Sequence, residues 1–187
     1  MFQSIPQWFN KLLITSRVRP RIRVDVGQTG FWEGREFRLN YPLSIATTAQ
    51  AILRVTAPIN FILQLQKLSS SETGLRFQAY RSAQGTPTGV WVPVVGLFPN
   101  NLQSDTPVYV GQVTIDTGGT FTPGGGELPV ETIEILVAGA TAQQTTVGGE
   151  SAKERGLPAN TYYLVFTNYT GSGTAKGIYD LIYEERP

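Results

Sequence analysis

The chain has 187 residues, of which 41% are hydrophobic and only 16% are charged, and it contains 20 glycines and 12 prolines. This composition fits one domain with its own core and favours strands and turns. Because cysteine and histidine are both absent, the sequence excludes disulfides, zinc fingers, Ser-His-Asp or Cys-His catalytic systems and haem held by histidine. No apolar run approaches the roughly 20 residues that a membrane-spanning helix needs.

Residues 1–25 are predicted to form an N-terminal arm in front of a single domain of residues 26–187. The spacing of its apolar residues predicts a short amphipathic helix over residues 5–14. The apolar stripe of this helix consists of Ile5, Trp8, Phe9, Leu12 and Leu13. So short a helix needs a surface to lie on, either its own domain or a neighbouring subunit. Basic residues follow the apolar part instead of preceding it, so we expect synthesis in the cytoplasm without export.

A basic ladder follows the helix, with an arginine at every second position. It consists of Arg17, Arg19, Arg21 and Arg23. In an extended chain these arginines share one face, and Pro20 favours an edge position. Residues 1–38 carry seven basic and three acidic side chains, and the remainder carries eight and eleven. The ladder is therefore a solvated edge or a docking face for an acidic protein surface. Nucleic acid is disfavoured because no aromatic residue lies between the arginines.

Alternating apolar and polar residues predict about eight to eleven strands in the rest of the chain, with no alternation of helices and strands. This pattern predicts an all-β fold, an antiparallel β-sandwich. The clearest strand spans residues 59–68, and we expect residues 75–81 to complete a hairpin with it.

Three further segments carry specific expectations. Residues 90–97 are predicted to form one edge strand because they contain Pro93. Residues 120–122 are predicted to return from a turn that follows Asp116. Residues 139–156 are predicted to form a loop or a brief helical turn around Lys153.

The carboxylates and glycine-rich loops do not predict an enzyme. The tripeptide Asp116-Thr117-Gly118 matches that of aspartic proteases, but their chemistry needs two such aspartates and the sequence holds one copy. Residues 171–177 are rich in glycine but lead into a strand pattern instead of a helix, so they do not predict a phosphate site. The remaining acidic candidates are scattered; they are Asp105, Glu127, Glu131 and Glu134. We therefore expect a protein without catalytic residues, metal or cofactor.

An alternative function is carbohydrate binding, since aromatic side chains can form a platform for sugars. The aromatic candidates are Trp32, Trp91, Tyr109, Tyr162 and Tyr163.

The chain resembles the jelly-roll or β-sandwich accessory proteins of tailed-bacteriophage virions, among them capsid decoration or cement proteins. The resemblance lies in the arm with its apolar stripe, the lack of cysteine and histidine, and the Gly/Thr-rich turns. The stretch LPANTYYLVFTN, residues 157–168, is similar to the closing strand of many such sandwiches. The resemblance implies that the jelly roll is the favoured form of the sandwich. It also implies a non-enzymatic virion protein that binds the major capsid protein or neighbouring subunits, as a homo-oligomer with trimers favoured. A neck or tail protein that forms rings is the alternative within this group.

Overall fold

The computed structural model describes residues 13–15, 20–22, 29–70, 74–100, 109–135, 145–147, 150–169 and 173–187. These residues form one short helix, α1 (Thr29–Trp32), a 3-10 turn (Ser82–Gln84) and sixteen strands. The strands are β1 (Leu13–Thr15), β2 (Pro20–Ile22), β3 (Glu36–Ile45), β4 (Gln50–Ala57), β5 (Asn60–Ser70), β6 (Leu75–Arg81), β7 (Gly85–Thr88), β8 (Val92–Pro93), β9 (Leu97–Pro99), β10 (Thr114–Thr117), β11 (Thr120–Pro123), β12 (Glu131–Ile135), β13 (Thr145–Val147), β14 (Glu150–Leu157), β15 (Asn160–Asn168) and β16 (Ala175–Arg186).

Eight of these strands form the two sheets of a jelly roll. The first sheet has the order β14-β5-β16-β3, and the second has the order β12-β6-β15-β4, with antiparallel neighbours throughout. In chain order the eight strands alternate between the two sheets at every connection except the one from β6 to β12, which stays in the second sheet, and this is the topology of a jelly roll. The predicted antiparallel β-sandwich, in its jelly-roll form, is therefore confirmed.

The core lies between the sheets and is rich in aromatic rings. Alternate residues of each strand point inward, so Leu164 and Phe166 of β15 pack against the first sheet through neighbours such as Tyr179. The rings of Phe77 and Tyr179 stack with centroids 5.5 Å apart, and Phe37 stacks on Tyr183 at the same separation. The first contact joins the two sheets, and the second joins the neighbouring strands β3 and β16 of the first sheet. Both bury large side chains, which contribute most to stability.

A long insertion between β6 and β12 covers one side edge of the sandwich. It spans residues 82–130 and contains β7 to β11. Strand β9 pairs with β3 in the first sheet, while β10 pairs with β4 and carries β8 at the edge of the second. Strands β7 and β11 pair with each other in a separate two-stranded ribbon. The insertion therefore extends both sheets along the same side.

Two predicted hairpins are wrong. Strands β5 and β6 lie in different sheets, so the chain crosses the sandwich between them. Strand β11 pairs with β7 instead of returning along β10. Alternation of apolar and polar residues specifies which face of a strand is buried, but it does not specify the neighbouring strand.

Two further segments differ from their predictions. The single strand predicted for residues 90–97 is divided into β8 and β9, because the chain turns at Gly96, whose φ of 113° is favourable only for glycine. The region predicted as a loop or helical turn contains β13 and β14, and Lys153 lies within β14. Strand β14 pairs with β5 across a register shift, so it lacks a continuous alternating pattern.

The predicted N-terminal helix is wrong at its C-terminal end. Leu13 and Ile14 lie in β1, which pairs antiparallel with β2 so that Leu13 is opposite Ile22. Arg21 lies in β2, as the predicted extended segment requires. The other proposed contact residues of the arm lie outside the described residues; they are Ile5, Trp8, Phe9, Leu12, Arg17, Arg19 and Arg23.

Candidate docking surface

A row of aromatic and charged side chains crosses the outer face of the second sheet. Cross-strand pairing places Tyr80 opposite Tyr163, Tyr163 opposite Arg54, and Arg54 opposite Asp116. Nη2 of Arg54 lies 2.7 Å from Oδ2 of Asp116, and its Nε donates to the same oxygen at 3.1 Å. The aspartate of the protease-like tripeptide is thus half of an ion pair that joins two strands.

Trp91 covers this row and fixes the chain around it. The Arg54 guanidinium lies 4.8 Å from the centroid of the Trp91 ring, a cation–π contact. The Trp91 ring also lies 5.8 Å from Tyr163, on which Phe121 stacks at 4.3 Å. A Cβ on Gly119 would come within 2.2 Å of the Trp91 ring, so glycine is needed for this close approach. The result is a second small core that holds the insertion against the sheet.

The residues around Trp91 present apolar side chains to solvent. Val90 is 78% exposed and Val92 54%, because they alternate with the inward Trp91; Val95 is 95% exposed and Phe98 59%. We call these four residues, Val90, Val92, Val95 and Phe98, the apolar flank. The sequence has no charged residue from Ser82 to Ser104. Exposed apolar side chains are enriched where proteins bind other proteins, although Phe98 lies directly opposite the exposed Arg38 of β3.

Prolines limit strand pairing along the flank. Pro93 lies in β8 and Pro99 in β9, and these edge strands have two and three residues. The backbone N–H of Asn100 donates to the carbonyl of Glu36, so the backbone groups of Glu36 point toward β9. Because backbone groups along a strand point to the same side at every second residue, those of Pro42 point toward this edge too. Pro42 has no N–H to offer there. The edge therefore resists extension by another strand and presents side chains instead.

Buried carboxylates of β16 fix the end of the sandwich next to α1. Glu185 is fully buried; its carboxylate accepts hydrogen bonds from the backbone N–H groups of Gln112 and Val113 and from the Tyr109 hydroxyl, at 2.7 to 3.0 Å. Arg35, three residues after α1, lies 3.1 Å from Glu184 of β16. The segment that follows the arm is thereby tied to the last strand of the jelly roll.

The other carboxylates that the sequence singled out are separated in space. Glu131 forms an ion pair with Arg155 at 2.9 Å, and Glu134 forms one with Arg76 at 2.7 Å. Within the described ranges, no three acidic residues gather as a metal site would require. Asp105 and Gly171 lie outside the described residues. The exposed Glu127 follows β11.

The aromatic residues proposed as a sugar platform are not brought to one surface. Tyr162 lies in the core between the sheets, and its hydroxyl donates to the carbonyl of Pro158 at 2.8 Å. Tyr163 lies under Trp91 on the opposite face of β15. Tyr109 is bound to Glu185, and Trp32 ends α1.

Burial governs the ionisation of the tyrosines. Desolvation raises the pKa of Tyr179 and of Tyr183 far above the ordinary value, and the neighbouring Glu185 carboxylate raises the pKa of Tyr183 further. Desolvation also raises the pKa of Tyr163, an effect that the nearby Arg54 partly opposes. These hydroxyls therefore keep their protons in the folded chain.

A small apolar cavity lies between the sheets. Its volume is about 40 Å³, and its walls include Leu63, Phe77, Leu164 and Tyr179, with the Glu131–Arg155 pair at its mouth. Ligand pockets are typically of about 300–1,000 Å³. The cavity is therefore a packing defect of the core.

No protein-family model matches the chain, and no curated protein is similar to it. Among the described residues, no helix has the length and apolar character to cross a membrane.

The apolar flank was not predicted from the sequence. Attention to individual charged and aromatic motifs overlooked a stretch without any charge, and that absence is the signal that could have located it. Val90 and Val92 alternate with Trp91 in the sequence. The sequence does not show which of these side chains face solvent, because that depends on the ion pair beneath Trp91.

Proposed function

We propose that this chain is a non-enzymatic building block of a virus particle, an accessory protein of a tailed-bacteriophage virion that decorates and stabilises the capsid. The observation that carries the proposal is the apolar flank: four exposed apolar side chains, in a stretch of sequence without charge, on the edges of a jelly roll. Jelly rolls occur in viral capsids and also in lectins, so the fold alone does not decide between these functions. A rigid exposed apolar surface supports a role in binding another protein.

The N-terminal arm is proposed as the contact with the shell. In the described part of the chain, β1 and β2 form a sheet of two strands. A two-stranded sheet is marginal in water, so it gains stability by lying on another surface. The arginine ladder suits an acidic partner, which we propose to be the major capsid protein or a neighbouring virion subunit.

The arm and its contacts would act many times over on one particle. The proposed arm residues are Ile5, Trp8, Phe9, Leu12, Leu13, Arg17, Arg19, Arg21 and Arg23. Each contact is modest, but repetition on a symmetric shell adds avidity, and a closed homo-oligomer such as a trimer suits local three-fold positions. The protein would thus be found in the virion.

The test is the number of copies in particles purified from the virus that encodes the chain, counted by quantitative mass spectrometry. We expect dozens to hundreds of copies for the full chain, and almost none for a chain that lacks residues 1–25 but shows the same unfolding transition. A ring-forming neck or tail protein would instead give about a dozen copies. Complete absence from particles, or unchanged incorporation without the arm, would contradict the proposal.

A further inference from the structure

We propose that a depression at the edge of the first sheet binds a neutral saccharide, a function beyond the assembly role proposed above. The depression has a volume of about 710 Å³ and lies along β3 and β9. Ligand pockets are typically of about 300–1,000 Å³, so its size suits a small ligand. Its walls are formed by Arg38, Asn40, Gly96, Phe98, Pro99 and Asn100.

Strand pairing brings an aromatic ring and a cation to the same face of the sheet. Phe98 of β9 lies directly opposite Arg38 of β3, and Asn40 follows two residues along the same strand. The intervening Leu39 is fully buried, so the side chains of Arg38 and Asn40 point away from the core. The Phe98 ring is exposed beside them. A sugar can therefore stack its C–H groups on this ring while its hydroxyl groups meet the neighbouring polar side chains.

Two asparagine amides of the depression are held in place by carboxylates. Nδ2 of Asn40 donates to Oδ1 of Asp180, the residue opposite it in β16, at 2.5 Å. Nδ2 of Asn100 donates to Oε1 of the buried Glu36. Within the described residues, each amide uses one N–H in this way and keeps a second N–H and its carbonyl oxygen for sugar hydroxyls. Groups that are fixed before binding lose little freedom when a ligand arrives.

The charges around the depression favour a neutral ligand. The exposed Arg38 has no ion-pair partner among the described residues, so its guanidinium can donate several hydrogen bonds to hydroxyl groups. Lys67 lies opposite Asp180 on β5, so two cations and the carboxylates of Asp180 and Glu36 balance each other nearby. Nucleic acid and other polyanions need an excess of positive charge, which this region does not offer. A neutral ligand rich in hydroxyl groups fits the balance best.

A peptide strand fits this edge less well than a saccharide. A peptide that binds at a sheet edge needs a row of free backbone groups. Because Asn100 donates its N–H to Glu36, the backbone of Pro99 points to the free side of β9, where proline offers no N–H. A ligand must therefore be met by side chains. Of the apolar flank only Phe98 lines the depression, and none of the aromatic residues suggested from the sequence does.

The experiment screens the full chain, biotinylated and displayed on streptavidin, against a printed array of neutral and acidic oligosaccharides. Display of several copies compensates for a weak single contact. The neutral glycan that binds most strongly is then titrated by calorimetry into the full chain and three variants. Phe98→Ala removes the aromatic ring, Arg38→Ala removes the guanidinium, and Val95→Ala shortens an exposed side chain outside the depression. Thermal unfolding verifies that all of these chains are folded.

We expect the full chain to bind neutral glycans, with an affinity at least about tenfold lower for Phe98→Ala and Arg38→Ala and changed less than about twofold for Val95→Ala. Binding to none of the printed glycans, or to acidic ones alone, would overturn the proposal. Equal affinity of Phe98→Ala and the full chain, or the same loss in Val95→Ala, would overturn it too, because the ligand would then lie elsewhere. The assay uses the isolated chain, so its result does not depend on incorporation into particles.

Discussion

At the scale of single residues, glycines decide how the flank is held. Gly119 lies against the Trp91 ring, where a Cβ would come within 2.2 Å, whereas a Cβ on Gly125 would meet nothing within 4 Å. Both glycines lie in the insertion, but only Gly119 lies against an aromatic ring. The contribution of a buried tyrosine hydroxyl to stability likewise depends on whether a hydrogen-bond partner lies next to it.

Gly119→Ala should destabilise the chain by about 1–3 kcal/mol, because the new methyl group must displace the Trp91 ring from Arg54. Urea unfolding measures the loss, and Trp91 fluorescence should change in the folded state. Gly125→Ala is the control and should change stability by less than about 0.5 kcal/mol. Equal effects of the two substitutions would show that Trp91 packing is not the cause.

Tyr183→Phe should stabilise the chain by about 1 kcal/mol. The Tyr183 hydroxyl is buried and has no hydrogen-bond partner among the residues that the structure describes, so its removal relieves a desolvation cost. Tyr162→Phe should have the opposite sign, with a loss of about 1 kcal/mol, because its hydroxyl donates to Pro158. Chemical denaturation of both variants tests the pair, and the same sign for both would contradict the assignment.

Stability should fall in alkali. Burial raises the pKa of Tyr179 and Tyr183, so the folded chain keeps protons that the unfolded chain releases above about pH 10. The stability that these two protonated tyrosines contribute is fully present below that pH. Above it, the free energy of unfolding falls by up to about 1.4 kcal/mol per pH unit for each tyrosine. Unfolding free energies from pH 8 to 11 should show the decline, with a shallower slope for Tyr183→Phe. An unchanged slope in that variant would argue against the assignment.

At the scale of elements, the alternating pattern located the strands but not their partners. Residues 59–68 were predicted as a strand, and β5 spans Asn60–Ser70. The polar loop after it suggested a hairpin, yet the chain crosses to the other sheet. A polar loop can form either a hairpin within one sheet or a crossing between two sheets. The choice between these two connections therefore depends on the packing of the whole core. Strand β14 was missed because its pairing with β5 is interrupted by a register shift.

Buried hydrogen bonds position segments that have no regular structure. Residues 109–113 are held at the end of the first sheet by Glu185, which accepts two backbone N–H groups and a hydroxyl. No pattern in the sequence connects this glutamate with a segment more than seventy positions away. Such contacts depend on the completed fold.

Glu185→Gln should destabilise the chain by about 2–3 kcal/mol, because the amide removes the charge and turns a donor toward the N–H groups. We expect faster hydrogen exchange at Gln112 and Val113, measured by mass spectrometry. Glu127→Gln, at an exposed position, should change neither stability nor exchange. Retained protection at Gln112 in the first variant would contradict the role of Glu185.

At the scale of the whole molecule, composition and alternation were sufficient to predict the antiparallel β-sandwich. Many short strands, abundant turn residues and no helical periodicity allow few other architectures. The insertion of residues 82–130 could not be predicted as a cover for the side edge, because β9 and β10 join different sheets. The exposure of the apolar flank follows from that arrangement.

The most direct measurement is electron cryo-microscopy of purified particles that carry the chain. We expect repeated jelly-roll density on the shell, with residues 1–25 lying along the capsid surface. Particles without such density, or density in which residues 1–25 do not contact the capsid, would contradict the account.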